Sequence, residues 1–175
     1  VAYIKANSTG QQPFFLYVPF INPHHPVVAH PDFKGKSGGG TYSDVLMEID
    51  HNTGRVMDAI KQAGIDENTI VVWLSDNGPT RYSLLPYENG DPGPWTGELG
   101  SVFEGGLRTA GMIRWPGTIK PMVADELFHE MDFFPTLARW TGATVPDDRP
   151  IDGRDQSDYL LGKQPQSNRD HVIVY

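Results

Sequence analysis

The chain has 175 residues, 22 acidic and 14 basic side chains, a formal net charge of -8 and no cysteine. This length is enough for one domain with a hydrophobic core, and the acidic balance argues against a nucleic-acid-binding protein, because no basic stripe is present to neutralise phosphates. The lack of cysteine excludes disulfides, thiolate metal sites and cysteine nucleophiles among these residues, and no apolar run approaches the length that spans a bilayer.

The first half of the chain predicts two short elements and one long helix. Val1–Lys5 is typical of the last turns of an amphipathic helix. The apolar run Phe14–Val18 has the length of a strand and leads into 19–26, where three prolines force irregular structure. Thr41–Asp44 resembles a capping box. The apolar spacing behind it predicts a helix of about 22 residues that ends near Gly64.

The second half continues this alternation of strands and helices. Residues 69–74 predict a buried strand and 110–115 predict another, while the Pro- and Gly-rich segment 78–98 predicts a long loop. Asp132 is predicted to cap a helix that runs to about Thr141. The order strand, loop, helix, strand predicts an α/β fold with a mostly parallel, mixed sheet flanked by helices.

Both ends of the chain look cut. Native chain ends are usually polar and frayed, whereas Val172–Tyr175 is an apolar strand with no polar tail. No internal repeat and no domain boundary is visible. We therefore expect residues 1–175 to be part of a single larger domain.

Polar side chains follow two of the predicted strands. His24 and His25 come after the first, and Asp76 and Asn77 come after the second. In a parallel sheet both pairs would emerge at the same edge. Two oxygen ligands suit calcium, and a histidine beside a metal is a common hydrolytic arrangement. The alternatives are an ordinary turn for the acid and amide, and a histidine pair that only packs or hydrogen-bonds.

Two arginines are weaker candidates for anion binding. Arg108 ends the segment Glu104–Arg108, whose glycines permit a close approach of backbone. Its guanidinium could hold an anion by bidentate contact, or form a structural pair with a carboxylate. Arg81 is a loop cation with no partner evident in the sequence.

Six segments in the same order resemble the motifs of type I sulfatases, and they cover nearly the whole chain. They are Pro13–Phe20 with Pro23–Pro26, Asn68–Val71 with Ser75–Gly78, Glu104–Arg108, Arg114–Gly117, Asp132–Leu137 and Ile151–Gly153. The resemblance is closest to bacterial arylsulfatases of the alkaline phosphatase superfamily. It implies a calcium-assisted sulfuric ester hydrolase whose nucleophile is a formylglycine made from Cys or Ser in C/S-x-P-x-R.

The resemblance also implies roles for individual residues. Asp76 and Asn77 match the acid and amide of the calcium shell, and His24 matches the histidine on the sulfate or leaving-group side. His25, Arg81 and Arg108 remain substrate-binding candidates only. The implied partner is a small-molecule or saccharide sulfate ester, with no nucleic acid and no membrane span, and the implied location is periplasmic or secreted.

The sequence departs from the family pattern at two places. No C-x-P-x-R or S-x-P-x-R occurs, and the two metal-binding acids near the family's N-terminus are absent. We therefore expect the nucleophile-bearing portion to lie outside this chain, and the chain alone to be inactive. Leu99 stands where many sulfatases have a sulfate-binding lysine. Two other functions are a phosphatase or phosphodiesterase of the same superfamily, and a non-catalytic anion-binding module with the same fold.

Overall fold

The computed structural model describes residues 1–81 and 90–174. Its helices are α1 (Ala2–Asn7), α2 (Thr41–Gln62), α3 (Glu104–Leu107), α4 (Phe133–Thr141) and α5 (Ser157–Leu160), with short 3₁₀ helices at Asp66–Asn68 and Glu130–Asp132. Strands β1 (Val71–Leu74) and β2 (Gly111–Arg114) pair in a two-stranded sheet. The chain divides into two compact units, Val1–Met112 and Ile113–Tyr175. In the part of the chain that the structure describes, no helix is both long and apolar enough to cross a membrane.

Helix α2 confirms the predicted helix but not its predicted start. The helix has 22 residues, and its N-cap is Gly40, which has a φ of 92° and no side chain to cap with. The capping box predicted at Thr41–Asp44 is therefore wrong. At the other end Gly64 has a φ of 71°, and the Ile65 amide donates to the Ile60 carbonyl at 3.3 Å. This is the glycine-terminated helix end that the sequence predicted.

The carboxylate of Asp44 stabilises the preceding loop instead of the helix. It accepts hydrogen bonds from the backbone amides of Gly35 at 2.7 Å and Ser37 at 2.9 Å, and from the Ser37 hydroxyl at 2.6 Å. The hydroxyl of Ser37 and these amides lower the pKa of Asp44. The carboxylate of Asp44, three residues after Thr41, thus accepts its hydrogen bonds from the preceding loop and none that would cap the helix.

The long helix fixes β1 from one side. Two clusters of buried residues form the core of the first unit, and both include α2. Trp73 packs against the first cluster and Val71 against the second, so alternate side chains of β1 face the helix. The clusters consist of Val27, Ala29, Val45 and Ile49, and of Ile4, Ala59 and Ile60. This packing holds the strand whose end carries the polar residues of interest.

The run Phe14–Val18 is not a strand of the described sheet, so that prediction is wrong. Phe14 packs against the second core cluster, but Phe15 and Tyr17 are 78% and 75% exposed. A strand needs a neighbouring strand to take its backbone hydrogen bonds. Among the described residues the sheet consists of β1 and β2 alone, and no backbone hydrogen bond joins this run to either strand.

In the second unit, Asp132 precedes α4 as predicted, but its carboxylate does not cap that helix. It lies buried and accepts hydrogen bonds from the Arg169 guanidinium at 2.6 and 2.8 Å, from the Arg154 amide at 2.7 Å and from the His129 amide at 3.0 Å. His129 in turn accepts from the amide of Met131, so the pair caps the 3₁₀ helix. Burial by itself raises the pKa of Asp132, but these hydrogen bonds outweigh it and the pKa is lowered.

Candidate functional site

Asp76 and Asn77 lie at the turn where the pairing of β1 and β2 ends. The Ser75 amide donates to the Ala110 carbonyl at 3.2 Å, and the chain then turns away from the strand. The Asp76 side chain is exposed, and in the described part of the chain no hydrogen bond or ion pair engages it. The Asn77 amide nitrogen donates to the Gly78 carbonyl at 2.8 Å. This bond orients the side-chain amide, and Oδ1 is the atom that can act as a cation ligand, because Nδ2 is only a donor.

This turn is packed directly on the glycines of α3. The Gly78 amide donates to the Gly106 carbonyl at 3.0 Å, and a Cβ added at Gly78 would collide with the carbonyl of Gly105. Gly105 is just as crowded, since a Cβ there would lie 2.6 Å from the Gly97 carbonyl oxygen. The close backbone approach predicted for the glycines of Glu104–Arg108 is confirmed, and it packs the turn that contains Gly78 against the backbone of α3.

The two arginine candidates are held differently. The guanidinium of Arg108 stacks 4.0 Å from the centroid of the Trp95 ring and contacts the Glu104 carboxylate at 3.4 Å. Arg81, for which the sequence shows no clear partner, contacts Asp91 at 3.3 Å. Sequence reasoning missed Trp95, although a tryptophan within a Pro- and Gly-rich loop is an unusual feature that could have marked it.

The two histidines form a local pair. The Nδ1 atom of His24 lies 2.7 Å from the His25 carbonyl oxygen. A carbonyl can only accept, so Nδ1 carries the proton and Nε2 of the exposed His24 ring is left to accept or exchange one. His25 is half-buried. The pairing therefore assigns the tautomer of His24 and leaves Nε2 outside this hydrogen bond.

The metal ligands available in the described residues are few. Within residues 1–81 and 90–174, no three or more His, Asp or Glu side chains come together in a way that could hold a metal ion. Asp76 and Asn77 supply one carboxylate and one amide oxygen, which are hard ligands that calcium accepts. A calcium shell takes about six to eight oxygens, so these two residues fit part of such a site.

Comparison with known proteins gives a consistent set of matches. A family model described as Sulfatase matches residues 1–143. The steryl-sulfatase of Rattus norvegicus is 38% identical over 167 residues, which are 93% of this chain and 29% of that protein. The N-acetylgalactosamine-6-O-sulfatase of Bacteroides thetaiotaomicron is 35% identical over 173 residues, which are 95% of this chain and 34% of that protein.

Solved structures show the same likeness. A Bacteroides thetaiotaomicron structure, described with the metabolism of multiple glycosaminoglycans, has a TM-score of 0.86 and 33% identity, and covers 95% of this chain and 36% of its own. A sulfatase from Pseudoalteromonas sp. has a TM-score of 0.80 and 31% identity over 88% of this chain and 31% of its own. The chain therefore spans about a third of the length of the relatives it matches.

Proposed function

The chain belongs to the sulfatase family, and we propose that the protein containing it hydrolyses sulfate esters with a calcium ion held partly by Asp76 and Asn77. The observation that carries this proposal is the sulfatase match over residues 1–143, because that range contains every candidate site residue. The relatives' names cover a sterol sulfate and an amino-sugar sulfate. We accordingly infer a small-molecule or saccharide sulfate ester as the substrate class.

The turn after β1 is suited to a cation. Asp76 brings a negative charge that no described side chain neutralises, and Asn77 presents Oδ1 because its Nδ2 is tied to the Gly78 carbonyl. Bound calcium would supply positive charge that neutralises the sulfate oxygens as the ester bond breaks. The remaining calcium ligands and the formylglycine nucleophile would come from the part of the protein beyond residues 1–175.

His24 is suited to the proton transfer or hydrogen bonding that ester cleavage needs. Its Nδ1 proton is fixed on the His25 carbonyl at 2.7 Å, which leaves Nε2 to contact the sulfate or the leaving-group oxygen. A neutral Nε2 accepts a proton and a charged ring donates one. A leaving alkoxide or phenoxide needs a proton, so His24 is assigned to the leaving-group side.

The test uses the full-length protein, with the coding sequence that flanks residues 1–175. Its metal content and its hydrolysis of 4-nitrophenyl sulfate are measured before and after chelation with EGTA and readdition of calcium. Asp76→Ala should lower both calcium content and turnover about 100-fold or more, while Asp147→Ala, a change at another exposed acid, should alter neither. Hydrolysis that survives complete removal of calcium, or zinc or manganese in its place, would count against the proposal and favour phosphatase-type chemistry.

A further inference from the structure

Two loop segments lie side by side shortly after Asp76: Pro79–Arg81 and Glu98–Leu99. The Leu99 amide donates to the Pro79 carbonyl at 2.9 Å, and the Glu98 carboxylate accepts from the Arg81 amide at 2.8 Å. These two bonds hold the backbone of Arg81, which lies five residues after Asp76 in the sequence. The position of Arg81 is therefore set by its backbone, and its side chain is not needed for that purpose.

The guanidinium of Arg81 is only lightly engaged in the described part of the chain. Its Nη2 contacts Asp91 Oδ1 at 3.3 Å, with side chains that are 52% and 80% exposed. The same Asp91 oxygen accepts from the Gly93 amide at 2.7 Å, which is the shorter bond. An exposed ion pair of this length stabilises little, and an arginine has five N–H donors. An incoming anion can replace this contact at small cost.

The neighbouring residues leave this role to Arg81. Leu99 is apolar and 43% exposed, so the segment beside Pro79 brings no cation of its own. Arg108 has an exposed contact of the same kind with Glu104, at 3.4 Å, but its guanidinium also stacks on the Trp95 ring, 4.0 Å from the centroid, a contact for which Arg81 has no counterpart among the described residues. We propose that Arg81 is the residue that binds the anionic oxygens of the substrate's sulfate group, as a bidentate guanidinium contact from the segment that follows the Asp76–Asn77 turn. This proposal rests on the proposed sulfate-ester function.

A different role for Arg81 is that of a structural clip, because its contact with Asp91 joins two positions that are ten residues apart in the sequence. The two roles give opposite results at Asp91. If Arg81 is a clip, Asp91→Asn breaks the same contact and harms the protein as Arg81→Ala does. If Arg81 binds sulfate, Asp91→Asn releases the guanidinium, and sulfate affinity stays the same or rises.

The experiment measures two quantities on the full-length protein: the KM for 4-nitrophenyl sulfate, and the dissociation constant of inorganic sulfate by calorimetry. Loss of a charge-assisted contact should raise both about 10- to 100-fold in Arg81→Ala, with kcat less affected. Arg81→Lys keeps the charge and should recover part of the affinity, which guards against a folding defect. Asp91→Asn is the matched control, with no increase in either quantity.

A second variant tests the position rather than the residue. Because the Leu99 amide is bonded to the Pro79 carbonyl, Leu99→Lys places a lysine on the segment that pairs with the chain two residues before Arg81. Added to Arg81→Ala, it should restore sulfate affinity at least tenfold. The proposal is overturned if Arg81→Ala leaves the sulfate constant within twofold, or if Asp91→Asn reproduces its effect. An inactive wild-type protein whose sulfate binding still depends on Arg81 would refute the proposed hydrolysis and support this inference.

Discussion

Removing Arg169 should open the buried ion pair of the second unit. The side chains of Arg169 and Asp132 are 6% and 0% exposed, and their closest atoms are 2.6 Å apart. Arg169→Met keeps much of the apolar stem and leaves the carboxylate buried without its cation. Breaking a buried pair in this way costs about 3–5 kcal/mol. Asp132 also accepts hydrogen bonds from the amides of Arg154 and His129. The loss of stability should therefore extend to the segments that begin near His129 and Arg154.

Hydrogen exchange measured by mass spectrometry on the full-length protein tests this reasoning. A loss of about 3–5 kcal/mol corresponds to exchange that is about 10²- to 10³·⁵-fold faster, in peptides covering residues 129–136 and 152–158. Arg149→Met is the matched control, because Arg149 is 79% exposed and lies 3.9 Å from Asp148. If Arg169→Met and Arg149→Met give the same exchange in these peptides, the buried pair does not stabilise the unit and the reasoning fails.

Acid should weaken the same contacts in a defined direction. Burial raises the pKa of Asp132, but the hydrogen bonds from Arg169 and the two amides lower it further than burial raises it. A carboxyl with a lowered pKa contributes stability above its unfolded pKa of about 3.9. That contribution disappears as the pH falls through the lower, folded pKa. In Asp132→Asn this pH dependence should vanish from the two peptides, and its persistence there would assign it to another group.

Three further outcomes follow from the first unit. Gly78→Ala should destabilise the Asp76 turn by about 1–3 kcal/mol, because the added Cβ meets the backbone of α3. Gly111→Ala is the control, because a Cβ there has nothing within 4 Å. Equal melting temperatures for the two variants would contradict the steric explanation. Asp44→Asn should speed amide exchange at residues 35–37, and in the unaltered protein acidification below the usual Asp pKa should do the same, since hydrogen bonds lower the pKa of Asp44. Calorimetry on residues 1–175 alone should find no submicromolar calcium site, because Asp76 and Asn77 are too few ligands; a submicromolar site would contradict this count.

Local signals explain what the sequence predicted correctly. The apolar spacing behind Thr41 and the glycine at position 64 predict the extent of α2, because helical periodicity and a left-handed C-terminal glycine depend on nearby residues only. The runs 69–74 and 110–115, which contain β1 and β2, were recognised from their local composition in the same way. The α/β fold and the family resemblance are confirmed by the solved structures and by the family model. Several short motifs in the family's order identify the family even though each motif alone is short.

Non-local partners explain the errors. Asp44 and Asp132 both stand where a helix-capping acid belongs, yet their carboxylates bind Ser37 and Arg169. A carboxylate takes the donors that the folded chain brings to it: those of Asp44 lie seven and nine residues before it, and the Arg169 guanidinium lies 37 residues after Asp132, so the predicted capping patterns contain none of them. The Phe14–Val18 run failed as a strand for a related reason, since strand formation depends on a neighbouring edge. Pairing between distant segments is the part of the fold that periodicity does not encode.

The packing around Gly78 bears on whether Asp76 and Asn77 form an ordinary turn or a ligand site. An ordinary turn needs glycine only for its backbone angles, but Gly78 does not have a positive φ, and glycine is required there because α3 occupies the space of a side chain. The backbone bond between Gly78 and Gly106 then holds Asn77 in place before any ion arrives. A preorganised ligand loses less entropy on binding. Gly78→Ala should therefore weaken calcium binding by the full-length protein more than a change of equal stability cost elsewhere, such as Gly142→Ala, whose φ of 73° makes that substitution strained. Equal calcium affinities for the two variants would favour the ordinary turn.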